Sequence, residues 1–441
     1  MPPSMGRRLV AKRDVEAGSR DAEADSRGQC GGQGAASATH PAIAAAALIL
    51  ALLVSACSFI PRDNFSLRQQ AAATIPGIPN ARFWVDGSDA ELHEFLKGPA
   101  LTSAIASTGS FDVLAISGGA YDGAYGAGVI NGWTAAGHRP EFAIVTGVSA
   151  GALIAPFAFL GPHYDQEIAE AFAGGVTQVL GDLGGVFALL GSSDARHDSL
   201  VALVDKFVTP QLLAAVAAGH ARGRRLFIVT TNLDAQRGMV WDMGAIAASR
   251  HPGSRELFRD VLVASASVPG LFGPTYIEVE AGGQRFREMH VDGGATTQVF
   301  ILPDVVLATG MGIAAPKGAA THVWVVINNH LTPQFEVVES GLVPTISRSF
   351  STLIKSDSKQ TLFVTAEYVG RERFNLTYID TAFDDFLNAN PSIKPGFNTP
   401  YMQALYRYGY DRARSGHLWT HEVPLPGGAS GLHLREMPHA H

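Results

Sequence analysis

Short apolar blocks, each running into glycine, set the pattern of the central part of the chain. Residues 111–116 and 142–146 are such blocks; glycine follows within two residues of each, and the stretch after each turn reads as helix. Brief continuous apolar runs bounded by turn residues fit strands buried on both faces. Residues 225–231 and 322–327 repeat the pattern. Strand, turn and helix in alternation predict a mainly parallel sheet with helices on both faces. Residues 276–279 and 284–291, either side of Glu280-Ala281-Gly282-Gly283, predict a hairpin. Thr209-Pro210 and Thr399-Pro400 each place a hydroxyl N-cap before a first-turn proline, and the second predicts a last helix over 400–414 that stops near Gly416. Residues 152–160 are apolar all round, which predicts a buried central helix.

A different kind of apolar run lies at 41–54, downstream of Arg7, Arg8, Lys12 and Arg13. That is a signal-peptide pattern. It falls short of the roughly 20 residues that cross a bilayer as a helix. Leu53-Val54-Ser55-Ala56-Cys57 resembles the lipobox of bacterial lipoproteins, which implies cleavage before Cys57 and lipid on its sulfur. Several acyl chains there would hold the protein stably to a membrane of the cell envelope. Ser58 is not the Asp associated with inner-membrane retention, so the outer membrane is the preferred site. Lipoprotein leaders begin closer to their apolar core, so translation is expected to start downstream of Met1. A short membrane anchor is the alternative.

Lys and Arg number 33 against 40 Asp and Glu, and no basic cluster occurs outside the leader, which argues against a nucleic-acid partner. The two cysteines, Cys30 and Cys57, both precede the globular part, so no disulfide framework or Cys-based zinc site is expected in it. The chain reads as a leader over 1–56, a lead-in over 57–110, a catalytic core over 111–305, the rest of the same domain over 306–424, and a loose tail over 425–441. The tail histidines His433, His439 and His441 lack a metal-ligand spacing.

Three segments carry candidate chemistry. Gly147-Val148-Ser149-Ala150-Gly151 lies between a predicted strand and a predicted helix. Small residues two before and two after a serine permit a sharp turn that lifts its hydroxyl to the strand's end, beside the positive end of the helix. Ser117-Gly118-Gly119-Ala120-Tyr121-Asp122-Gly123 also closes a strand, and its backbone N–H groups could cradle an anion. A dinucleotide fingerprint fits less well: Gly126-Ala127-Gly128 is followed by Asn131 where a third glycine belongs. Val291-Asp292-Gly293-Gly294 leaves the hairpin; alone it is a turn signal.

In this order the three segments resemble the patatin-like phospholipase family, over about residues 111 to 300. The resemblance implies a three-layer α/β/α sandwich with a mainly parallel central sheet. It implies a lipid esterase of phospholipase A type that works through an acyl-enzyme without metal or organic cofactor, on an acyl lipid or other ester. It makes Ser149 the nucleophile, Asp292 its base, and the N–H groups of Gly118, Gly119 and Ala120 the oxyanion hole, with Gly123, Gly147, Gly151, Gly293 and Gly294 as motif glycines. Two departures stand out. Ala120 replaces the family's third glycine, and Asp122 stands where the family has a basic residue, which argues against a preference for anionic phospholipid. An acyltransferase on the same fold and a non-catalytic lipoprotein scaffold are the alternatives. So is a Ser-His-Asp triad using His290, His330 or His417.

Overall fold

The computed structural model describes residues 62–88, 110–175, 193–301 and 320–424, apart from positions 336 and 339, within a compact unit that begins at Arg62. The leader with Cys57 and the tail histidines lie outside the described residues. One sheet organises the unit. Its strands are β1 (Arg82–Trp84), β2 (Ser110–Ile116), β3 (Ile144–Val148), β4 (Arg225–Asn232), β5 (Arg237–Asp242), β6 (Thr275–Ala281), β7 (Gln284–Asp292), β8 (Ala320–His330) and β9 (Phe374–Ile379). The order is β1-β5-β4-β3-β2-β8-β9, with β7 added to β4 and β6 to β7. From β4 to β9 along this order all neighbours are parallel, while β1, β5, β6 and β7 pair antiparallel.

Alternation along the strands builds two apolar layers. Phe111, Val113 and Ala115 of β2 pack on one face with Leu362 and Ala366 of the helix Leu342–Val369. Leu114 and Ile116 pack on the other with Ile130, Ile154 and Phe258 from three further helices. The result is the three-layer α/β/α sandwich. Strand order reverses at β2, which has β3 on one side and β8 on the other, so the loop after β2 lies where α/β sheets open a crevice. The helix Ala150–Leu160 is buried along nearly its whole length, as its apolar sequence predicts.

Several boundaries differ from those expected. β3 begins at Ile144, two residues later than expected, although the Ala143 N–H already bonds to Asp112 O of β2. The cap of the last helix is Asn398, whose Oδ1 accepts from Tyr401 N–H at 3.0 Å, and Thr399 is its first residue. Thr209 caps as predicted. The lead-in holds a helix, Leu67–Ala72, with a capping box at Ser66 and Gln69, and its β1 pairs with β5. The hairpin turns at Gly282 and Gly283, both at positive φ, the geometry that two-residue hairpins favour.

Candidate active site

β3 ends at Val148, paired with Val229 of β4, and the chain turns at Ser149 into the helix Ala150–Leu160. Ser149 has φ 54° and ψ −122°, a conformation that costs a non-glycine residue about 1–3 kcal/mol and persists only where the surroundings enforce it. Two restraints do so. The Ser149 N–H donates to Ser265 Oγ at 3.0 Å, and that hydroxyl donates onward to Val229 O at 2.6 Å. The helix also crosses β2 so closely that a Cβ at Gly151 would lie 2.2 Å from Ile116 O, and one at Gly147 would lie 2.5 Å from Gly151 O. Both flanking glycines are therefore steric requirements of the turn. Ser149 is left 5% exposed, at the positive end of the helix.

Asp292 closes β7 opposite Thr230, one residue beyond the Val229 that pairs with Val148. The register thus brings Ser149 and Asp292 to the same point on β4. The Asp292 N–H is tied to Ser267 O at 2.9 Å, and its Oδ1 accepts from Gly294 N–H at 2.7 Å. A Cβ at Gly293 would meet Val229 O at 2.3 Å, so the turn lies flat on β4. The carboxyl is almost wholly buried. Burial pushes its pKa up to about 7, opposed by the neighbouring Ser149 hydroxyl and the Gly294 N–H. Oδ2 nevertheless has no hydrogen bond of good geometry and is free to accept a proton. Such contacts commonly tighten only when substrate is bound.

The loop after β2 lies beside the serine, for a Cβ at Gly118 would be 3.0 Å from Ser149 Cβ. Its three expected donors are not equivalent. The Gly118 N–H is spent on Gln298 O at 3.2 Å, whereas the N–H groups of Gly119 and Ala120 have no partner among the described residues. Gly119 passes so near β8 that a Cβ would lie 2.1 Å from Asn328 O. Ala120 sits at φ 51°, a left-handed conformation in which glycine would be unstrained. Asn328 fixes the loop: its N–H and amide donate to Ser117 Oγ and Ser117 O at 2.9 and 2.8 Å, and its Oδ1 accepts from Gly126 N–H. Gly123 packs on Ala150 and Phe172. Gly128 fits against Tyr406 O of the last helix, a helix-packing role that accounts for the glycines resembling a nucleotide motif. Asp122 turns to that same helix, where Tyr401 Oη donates to it at 2.7 Å, and burial pushes its pKa up to about 7 against that bond.

None of the three nominated histidines bonds to Ser149. His290 is fully buried, with Nδ1 on Thr230 Oγ1 at 2.9 Å and Nε2 on Glu288 Oε2 at 3.0 Å. Trp241 Nε1 donates to Thr230 Oγ1, which leaves the threonine proton for Nδ1 and the ring proton on Nε2. Burial also lowers the His290 pKa, so the ring is neutral. Glu288 accepts in addition from Arg82 and Gln70. His330 lies 3.6 Å from Asp384, and His417 is exposed. No group of three or more potential metal ligands occurs among the described residues. Asn328, which holds the loop, was not singled out by any sequence pattern; Ser265, which holds the serine, lies in Ala264-Ser265-Ala266-Ser267-Val268-Pro269-Gly270, a segment that resembles a core segment of the patatin-like phospholipase family but reads, for direct chemistry, as a helix end stopped by Pro269-Gly270.

Residues 114–304 match the family model described as Patatin-like phospholipase. No curated protein matches the chain. Among solved structures, the crystal structure of VipD from Legionella pneumophila is similar at 13% identity, covering 70% of this chain and 67% of that one, with a TM-score of 0.33.

Proposed function

We infer from this patatin-like phospholipase domain at residues 114–304 that the chain is a serine acyl hydrolase acting on lipid esters through Ser149 and Asp292. The observation that carries the reading is the strained Ser149 beside a buried carboxyl that has Oδ2 unpartnered and its pKa raised to about 7. Above pH 7 that carboxyl is ionised and can act as a base without a histidine. Ser149 Oγ attacks the ester carbonyl carbon as its proton passes to Asp292 Oδ2. The carbonyl electron pair moves onto oxygen, where the N–H groups of Gly119 and Ala120 receive it. The C–O bond then breaks, and the leaving alcohol takes the proton from Asp292. Water, deprotonated by the same carboxylate, attacks the acyl-serine, and as the acyl C–Oγ bond breaks the proton passes from Asp292 to Ser149 Oγ and the fatty acid leaves.

Purified protein exposed to a fluorophosphonate should be labelled at Ser149 and lose ester hydrolysis in proportion. Hydrolysis surviving full labelling, or persisting in Ser149→Ala, would sink the reading. The lipid anchor belongs to the same proposal: with Cys57 lipidated, the enzyme is held on the envelope beside its substrate. Cys57→Ser should then move the mature protein from the membrane fraction to the soluble one, and unchanged membrane recovery after a high-salt wash would count against that anchor.

A further inference from the structure

Gln298 lies six residues beyond Asp292 and is 2% exposed. Its main chain is fully engaged: the N–H donates to Asp357 Oδ2 at 3.3 Å and the carbonyl accepts the Gly118 N–H. Its side chain is not. The amide has no hydrogen-bond partner among the described residues, and neither of its polar atoms is sealed from solvent. Its location gives the reason. A Cβ at Gly118 would lie 2.8 Å from Gln298 Nε2 and 3.0 Å from Ser149 Cβ, so the nitrogen stands within about 6 Å of the serine. A Cβ at Gly294 would lie 2.6 Å from Gln298 Oε1. The amide thus lies between the loop after β2 and the Asp292 turn: Oε1 is 3.1 Å from the same Gly118 Cβ position and Nε2 is the nearer of the two to it.

We propose that the side-chain amide of Gln298 is the third donor of the oxyanion hole, replacing the Gly118 N–H that its own carbonyl has taken. This rests on the hydrolase reading above. As Ser149 Oγ adds to the ester carbon and its proton passes to Asp292, the developing oxyanion accepts from Gly119 N–H, Ala120 N–H and Gln298 Nε2, and none of these three donors gives up its proton. In the free enzyme the amide has no protein partner, so it is available to the oxyanion, which is how binding strength is directed to the transition state. The bonds of the Gln298 main chain to Gly118 and Asp357 fix the side chain's origin, so the donor is placed before substrate arrives.

The test compares wild type, Gln298→Met and Gln298→Glu in the full chain, with active enzyme counted by fluorophosphonate titration. Methionine keeps the length and removes the donor; glutamate keeps the shape and offers a negative oxygen. With a p-nitrophenyl ester, Gln298→Met should lose about 10²–10³ in kcat, the range for removing one oxyanion donor. Gln298→Glu should lose at least as much at pH 8. Affinity for a trifluoromethyl ketone, which traps the tetrahedral oxyanion on the serine, should fall in step, while affinity for an unreactive ether analogue of the ester stays unchanged. A Gln298→Met enzyme within threefold of wild type overturns the inference. So does equal weakening of the ketone and the ether, or a displaced pH profile, because either outcome makes Gln298 a support for the pocket or for Asp292. Wild-type protein that neither hydrolyses the ester nor reacts with the fluorophosphonate would overturn the hydrolase reading itself.

Discussion

Replacing Asp292 by asparagine should remove activity and, at the same time, change how stability depends on pH. Burial raises the carboxyl from 3.8 to about 7, so the folded state holds its proton where the unfolded chain has released it. Between about pH 4 and pH 7 the native state therefore binds more protons, and stability falls as pH rises through that window. At about 1.4 kcal/mol per pKa unit, a rise of about three units costs about 4 kcal/mol above pH 7 and nothing below pH 4. Asparagine has no such charge. Its carbonyl still accepts from Gly294 N–H, and its NH2 replaces an oxygen that lacks a partner, a pH-independent penalty of about 1–3 kcal/mol. Urea unfolding at half-unit steps from pH 4.5 to 8 should show the two proteins' stabilities shifting relative to each other by several kcal/mol, always in favour of the asparagine variant as pH rises. In the same series wild-type kcat/KM should climb about tenfold per unit below pH 7 and then level, while Asp292→Asn stays at least about a hundredfold lower. A stability difference constant to within about 1 kcal/mol across the range would refute the claim that burial sets the state of this carboxyl.

Ser149→Gly should abolish hydrolysis yet leave the protein as stable as wild type or about 1 kcal/mol more so, since glycine accepts φ 54° without strain; unfolding midpoints of the two proteins decide it. Ser265→Ala strands the Ser149 N–H and Val229 O together, so about 1–3 kcal/mol of stability should go, with kcat falling more than KM changes. Arg82→Met should cost about 3–5 kcal/mol by leaving Glu288 buried without its guanidinium. Burial alone would raise Glu288, but His290 and Arg82 outweigh it and hold the carboxyl at about 2. That contribution to stability is complete above the unfolded value near 4.5 and lost as pH falls toward 2, so acid unfolding should shift in the variant. His290→Gln should lower kcat/KM by less than about tenfold, because both ring nitrogens already serve Thr230 and Glu288.

What the sequence made legible follows from how each feature is encoded. The sharp turn at Ser149 is written in adjacent residues, since the glycines that let the helix Ala150–Leu160 cross β2 must flank the serine. The same holds for the Asp292 turn and for the hairpin at Gly282 and Gly283, where local backbone geometry demands particular residue types. β1 escaped because its identity as a strand depends on a partner far along the chain, Arg82 to Trp84 pairing with Trp241 to Met239, and β9 because Asn375 and Thr377 are buried polar residues that break any apolar run. Supporting groups are less visible still. Gln298 belongs to an ordinary local sequence, and Ser265 to a segment whose family resemblance gave it no direct chemistry; each takes its role only because β4, β7 and the loop after β2 converge. Gln298 shows why three glycine-loop N–H groups could not be counted as three donors from sequence alone. Whether an N–H is free depends on which distant carbonyl reaches it, and here the carbonyl that claims Gly118 belongs to the residue whose amide stands beside the serine.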